Sequence, residues 1–357
     1  MSLPNKPLQV QHIEIGPDHD GQRVDNFLLG QLKGVPKSRI YSMLRSGEVR
    51  VDGGRVKPET RLAEGQRLRL PPVRQATPTT DSEGGLSDPS QRVLAQRMAD
   101  GLPVVYEADG LLVVDKPAGV AVHGGSGIRL GVVEALRAQR QDPMLELVHR
   151  LDRDTSGLLM LATTRKALLA LHQQLRDGQM RKRYLAVVLG DWKPMGTDPT
   201  RLIKAPLLKT LSANGERWVR VDPKGQAAMT RVRLLARGEL PGIGPISLLQ
   251  CEPLTGRTHQ IRVHLQSAGH PILGDPKYGV DEMNDLARQQ GLSRMYLHAW
   301  RLAIGQAGGD SQRLELAAEP TGALRRDFEA MGLTQVGSPN AKANNNHKAN
   351  NNDKASS

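Results

Sequence analysis

The chain has 357 residues, with 49 lysines and arginines against 37 aspartates and glutamates, a net charge of +12, and one cysteine. That excess favours a polyanionic partner, while a lone Cys251 excludes an internal disulfide framework or a cysteine-built zinc site and suits a cytoplasmic protein. No apolar run of about 18 residues occurs and the opening MSLPNKPLQVQHIEIG lacks a signal-peptide core, so no membrane partner is expected.

Residues 1–20 are polar and weakly patterned and are expected to be an extension. From Gly21, the spacing of Val24, Phe27, Leu28 and Leu32 predicts a helix. PKSRIYSMLRSGEV predicts a second, capped by Ser38, with Ile40, Met43 and Leu44 inward and Gly47 as the stop. Lys37, Arg39 and Arg45 lie off its apolar stripe. EVRVDG and GQRLRL then predict short strands. Residues 73–100 begin rich in Pro, Ser, Thr and Gly and are expected to form a linker.

A longer unit starts near Pro103. Strand-like runs with Gly and Pro turns fill LLVVDKPAGVAVHGGSG, and helices are predicted at LGVVEALRAQ and RKALLALHQQLRDG. Strands are predicted at RYLAVVLG, MTRVRLLA, ISLLQCEP and HQIRVHLQ. Residues 338–357 repeat an Asn/Lys/Ala unit whose composition predicts disorder.

Three blocks carry candidate chemistry. LVHRLDRDTSGLLMLAT sets Asp152 and Asp154 among arginines at the mouth of an apolar run. The wall from Leu158 to Ala162 raises the cost of ionising an acid, which a well-placed arginine offsets. The residues alone leave open which carboxylate is the buried one, and a structural ion pair is the commoner role for such a group. PLTGRTHQIRVHLQSAGHPILGDPKYG supplies an arginine: its alternation predicts a strand with Thr258, Gln260, Arg262 and His264 on one face. His259 and His264 then point to opposite faces and cannot share a metal. In MRKRYLAVVLG, Arg181, Lys182 and Arg183 precede Tyr184, a pattern suited to phosphate contact beside a stacking ring. Aromatic residues make up only 3% of the chain, which argues against a broad stacking platform and for one or two specific rings.

Other motifs fail. HRLD lacks the spacing and the companion motifs of a kinase catalytic loop, GGSG lacks the Lys-Ser/Thr of a P-loop, and DTSG lacks the first glycine of a nucleophile elbow. No metal or organic cofactor is implied.

At the three blocks the sequence resembles the ribosomal large-subunit type of pseudouridine synthases, the RluA family. HRLDRDTSGLLMLA resembles its catalytic motif, RKRYLAVVLG its second and TGRTHQIRVHL with GHPILGD and YG its third. Within the family the resemblance is nearest to members that modify several uridines of 23S ribosomal RNA. It implies an α+β fold: a small S4 (α-L) RNA-binding domain at 21–72, the linker, and a catalytic domain at 101–332. That domain would be a mixed, largely antiparallel sheet with flanking helices, followed by a disordered tail at 333–357. Carried over position by position, the resemblance implies Asp152 as catalytic nucleophile and Tyr184 as a ring packed on the target base that takes part in proton handling. It also implies Arg262 as the partner of Asp152, Arg150 as the group that displaces the base from its stack, and Ile261 as part of the base pocket. No cofactor or metal is implied, the partner is 23S rRNA or a large-subunit assembly intermediate, and a monomer is expected. Two rival readings follow from the residues. A non-catalytic S4-type RNA-binding or ribosome-assembly factor would not need Asp152. A glycoside-type hydrolase would use Asp152 with Asp154, but two residues of one loop are poorly placed to flank a sugar ring.

Overall fold

A computed structural model describes residues 9–32, 35–73, 89–124, 130–142, 144–193, 200–211, 217–305 and 313–333. The Asn-rich tail and the first part of the expected linker lie outside them.

The first unit comprises β1 (Gln11–Glu14), α1 (Val24–Gln31), α2 (Lys37–Ser46), β2 (Arg50–Val51), β3 (Gly54–Arg55) and β4 (Arg67–Leu70). Its strands form an antiparallel sheet in the order β1-β4-β2-β3. The helical stripe holds: Val24, Phe27, Leu28, Ile40, Met43 and Leu44 are buried in one core with Leu62 and Leu68. Gly47 ends α2 in the left-handed region (φ 73°), which a glycine adopts without Cβ strain. Two expectations need correction. Ser38 does not cap α2; the helix starts at Lys37 behind Pro36, whose fixed φ pre-sets the entry. Residues 11–14 are not a free extension either, since they pair with β4 and Ile15 is buried in the same core.

The second unit comprises α3 (Pro89–Asp100), β5 (Val104–Ala108), β6 (Leu111–Lys116), α4 (Val132–Arg140), β7 (Glu146–Leu147), β8 (Ser156–Ala162), α5 (Arg165–Arg176) and β9 (Arg181–Leu189). It continues with β10 (Thr200–Lys204), β11 (Leu207–Leu211), β12 (Arg217–Val221), β13 (Met229–Leu240), β14 (Gly244–Pro253) and α6 (Gln260–Ser267). It closes with α7 (Asp281–Gln289), β15 (Leu297–Gly305), β16 (Arg313–Ala317) and α8 (Gly322–Ala330). A ten-stranded sheet runs β10-β13-β14-β9-β15-β8-β6-β5, with β16 on β15 and β7 on β8. Among the described strands only the β15–β8 pair is parallel, so the sheet is mixed and largely antiparallel. β11 and β12 form a separate hairpin.

Every residue of β8 is buried. Leu159 and Leu161 pack with α3, α4 and α6, while Leu158, Met160 and Ala162 pack with α5. A strand covered on both faces reads as a continuous apolar run, and burying each of its large side chains contributes about 1.5–3 kcal/mol. Gly157, at φ 104°, lies where a Cβ would run into the Ala299 carbonyl of the parallel neighbour. That close approach fixes the loop ahead of β8 against β15.

The expected boundaries at 101 and 332 shift. Residues 89–100 are helix rather than linker, with Ala95 and Ala99 buried against Leu136 and its neighbours. Leu333 is buried with Leu324 and Phe328 rather than starting the tail.

Candidate active site

The expected strand over HQIRVHLQ is an α-helix, α6. Residues 260–265 are all buried, so the alternation of polar and apolar residues marks no solvent face. The polar ones have partners supplied from distant parts of the chain. The Gln260 amide donates to the Met229 carbonyl at 2.9 Å and to Thr230 Oγ1 at 3.0 Å, and its oxygen accepts from Thr255 Oγ1 at 2.7 Å. His264 lies 2.8 Å from Thr230 Oγ1 and 2.9 Å from the Ala205 carbonyl. The strand argument against a shared metal therefore falls away. The two imidazoles instead engage separate partners: His259 Nδ1 meets Tyr278 Oη at 2.7 Å.

α6 carries Arg262 to the loop that bears Asp152. Its Nη1 donates to Asp152 Oδ2 at 2.9 Å, while Nε and Nη2 form a bidentate pair with Asp275 at 2.8 and 2.7 Å. The Asp275 side chain is fully buried and also accepts the Lys277 and Tyr278 backbone N–H groups. Burial pushes its pKa up, but the Arg262 fork and those two N–H groups more than offset this and hold the carboxyl below its usual range. Arg262 is thus fixed by one carboxylate and presents its remaining edge to another. Its guanidinium also lies over the Tyr278 ring, 5.0 Å from the centroid.

Asp152 sits on the loop between β7 and β8, with its side chain 31% exposed, so part of it meets solvent. Its other oxygen, Oδ1, is 3.8 Å from His259 Nε2. His259 occupies the left-handed region (φ 52°) at the N-cap of α6, a strained conformation for a residue with a Cβ. Asp154, two residues on and about as exposed as Asp152, pairs with exposed Arg153 at 3.1 Å instead of with Arg262. The two carboxylates thus have different surroundings.

Tyr184, on β9, and Ile261, on α6, are buried in one apolar cluster with Leu151 and Cys251. Burial, then the nearby Asp152 charge, pushes the Tyr184 phenol well above its usual pKa and keeps it protonated. Asp152, Arg262, Tyr184 and Ile261 therefore converge. Arg150 is on the same loop as Asp152 but exposed, with no ion pair among the described residues.

Four positions escaped the sequence reading. Asp275 lay in the quoted GDPKYG, where Gly274 (φ 76°) packs against the Arg294 backbone and turns the chain. Tyr278 lay in the same stretch. Lys116 lay in the quoted VVDKPAG. Its side chain is fully buried and Nζ donates to the carbonyls of Pro117, Val120 and Arg153 at 2.8, 2.8 and 2.9 Å. It thereby ties the end of β6 to the Asp152 loop. Burial draws its pKa down to about 7, against the charges of Asp154 and Asp152. The fourth, His298, bonds the Ala318 carbonyl through Nε2 at 2.7 Å, so Nδ1 accepts from Ser156 Oγ at 2.8 Å. Arg294 donates to that same hydroxyl and anchors the far end of the loop.

Comparison with known proteins gives the family of both units. The family model described as RNA pseudouridylate synthase matches residues 110–267, and the S4 domain model matches residues 22–68. The chain is 48% identical over 326 residues to ribosomal large subunit pseudouridine synthase C of Salmonella typhi, covering 90% of this chain and 97% of the relative. It is 48% identical to the protein of that name in Escherichia coli strain K12, covering 86% and 92%. Among solved structures, human RNA pseudouridylate synthase domain containing 1 is similar at 25% identity and a TM-score of 0.50, covering 67% of this chain and 98% of that one.

Proposed function

Because the chain belongs to the RNA pseudouridylate synthase family, with an N-terminal S4 domain, we propose that it converts specific uridines of 23S ribosomal RNA to pseudouridine, using Asp152 as the nucleophile. The observation that carries this is the Asp152–Arg262–Asp275 arrangement. Oδ2 of Asp152 is anchored at 2.9 Å by an arginine that is itself locked by a buried carboxylate, while Asp152 stays partly exposed and its charge acts on the Tyr184 phenol.

The reaction is an isomerisation. The N1–C1′ bond of uridine breaks, C5 bonds to C1′, and the C5 proton is lost while N1 gains one. Atoms and electrons balance without a co-reactant. The target base must first leave its stack, at a cost of a few kcal/mol. Arg150, exposed on the same loop, is suited to fill the space it leaves. Ile261 supplies an apolar wall for the base, and Tyr184 a protonated phenol against it. Arg262 keeps the Asp152 carboxylate oriented by charge-assisted hydrogen bonding. The basic first unit, with Lys37, Arg39 and Arg45 exposed on α2, suits phosphate contacts. Placement in the cytoplasm and action as a monomer belong to the same reading.

The test is tritium release from 23S rRNA transcribed with uridine labelled at C5. The wild-type chain is expected to release tritium and leave pseudouridine at discrete positions. Full activity in Asp152→Asn would remove Asp152 from the nucleophile role.

A further inference from the structure

Of the three tryptophans, Trp192 and Trp300 are buried, at 0% and 8% exposure, whereas Trp218 is 37% exposed. Trp218 lies on β12 of the isolated hairpin, opposite Thr210 of β11. The next residue, Val219, is buried with Leu207, Val263 and Tyr278 and pins the hairpin to α6. Strand alternation then sets Trp218 and Arg220 on the other side. A two-stranded hairpin is marginal by itself, so this anchor is what gives the indole a fixed position.

That position connects to the reaction centre. The Trp218 ring meets Tyr278 edge-on at 5.6 Å, Tyr278 Oη meets His259 Nδ1 at 2.7 Å, and His259 Nε2 is 3.8 Å from Asp152 Oδ1. Lys277 Nζ lies over the indole, 4.6 Å from its centroid. Beside the ring is a cleft of about 280 Å³, lined by Trp218, Arg220, Gln266, Lys277 and Tyr278 among others. Arg220 itself pairs with Asp222, at 2.9 Å, outside that lining. A second cleft of about 200 Å³ flanks the hairpin, its polar lining including Lys209, Lys224 and Arg257.

We propose that Trp218 forms a second nucleotide subsite, in which its indole stacks on a base next to the reacting uridine and Lys277 and the basic lining take up the adjoining phosphate. The inference rests on the function proposed above and adds a contact that helps select the uridine. An aromatic ring interleaved with cations is the pattern that holds single-stranded nucleic acid by stacking. A cleft of this size is at the small end for ligands and admits one nucleotide rather than a folded partner.

The test uses the full chain and an unmodified 23S rRNA transcript. Tryptophan emission is expected to be quenched on RNA binding in the wild type and to lose that response in Trp218→Phe. In tritium release, Trp218→Ala is expected to raise KM roughly tenfold, with a smaller effect on kcat. Trp218→Phe recovers most of that affinity because a ring remains. Lys277→Gln raises KM less and lowers the salt dependence of binding by about one phosphate contact. The Phe and Gln variants keep the hairpin's packing, so they carry the test if the Ala variant fails to fold. Pseudouridine formation with unchanged KM in these variants and no quenching overturns the subsite alone. Absence of pseudouridine formation by the wild type overturns the function reading and this inference with it.

Discussion

Arg262 and Arg153 each pair with an aspartate of one short loop, and the two pairs have little else in common. Arg153, 60% exposed at its side chain, meets Asp154 through one hydrogen bond, and the two aspartates are about equally exposed, at 27% for Asp154 and 31% for Asp152. Arg262 is 6% exposed at its side chain, donates three hydrogen bonds to two carboxylates and lies over an aromatic ring. Solvent screens the first and leaves it almost without energetic consequence. In the second, removing Arg262 strands the Asp275 charge away from water. An ion pair's role follows from its burial and its other partners more than from its length, since both are close to 3 Å.

The largest expected effect is on chemistry. Asp152→Asn is expected to lower kcat about a thousandfold or more in single-turnover tritium release, while Asp154→Asn stays within about twofold. Equal losses would erase the distinction between the two carboxylates. Next is stability. Arg262→Met leaves Asp275 buried without its counter-charge, and urea unfolding is expected to show a loss of about 3–5 kcal/mol. Arg262→Lys recovers only part, because an ammonium cannot make the bidentate fork.

A third prediction concerns pH. Burial pushes the His298 pKa down to about 4, from an ordinary 6.5. Between those values the unfolded chain binds a proton that the folded chain refuses, so stability falls as pH drops through this window. The loss is roughly 2 kcal/mol between pH 6.5 and about 5. Urea midpoints across that range check it, and His298→Asn is expected to flatten the slope by about one proton. The smallest effect is at the surface: Arg153→Ala is expected to shift stability by no more than about 0.5 kcal/mol. A larger change would mean that solvent does not screen this pair.

Much of the fold was legible because its signals are local. The α1 stripe, the Gly47 stop of α2 and the long apolar run of β8 need only neighbouring residues to be read. α6 was misread because its evidence is distant. Gln260 and His264 look like a solvent-facing pair until Met229, Thr230 and Ala205 arrive to satisfy them. α3 was taken for linker because its polar composition masks Ala95 and Ala99, small residues that matter only once α4 packs on them.

The site divides in the same way. The sequence by itself placed Asp152, Tyr184 and Arg262 in recognisable motifs and set the positive charge that suits an RNA partner. The family resemblance already singled out Asp152 over Asp154; the tertiary structure supplies the physical difference, by bringing Arg262 across 110 residues to one and leaving the other to its neighbour. It alone revealed Asp275 behind Arg262, Lys116 beneath the loop and Trp218 at the cleft's edge. The reason is physical. A residue's type fixes what it can bond, but burial and long-range partners decide which bonds form and what they are worth.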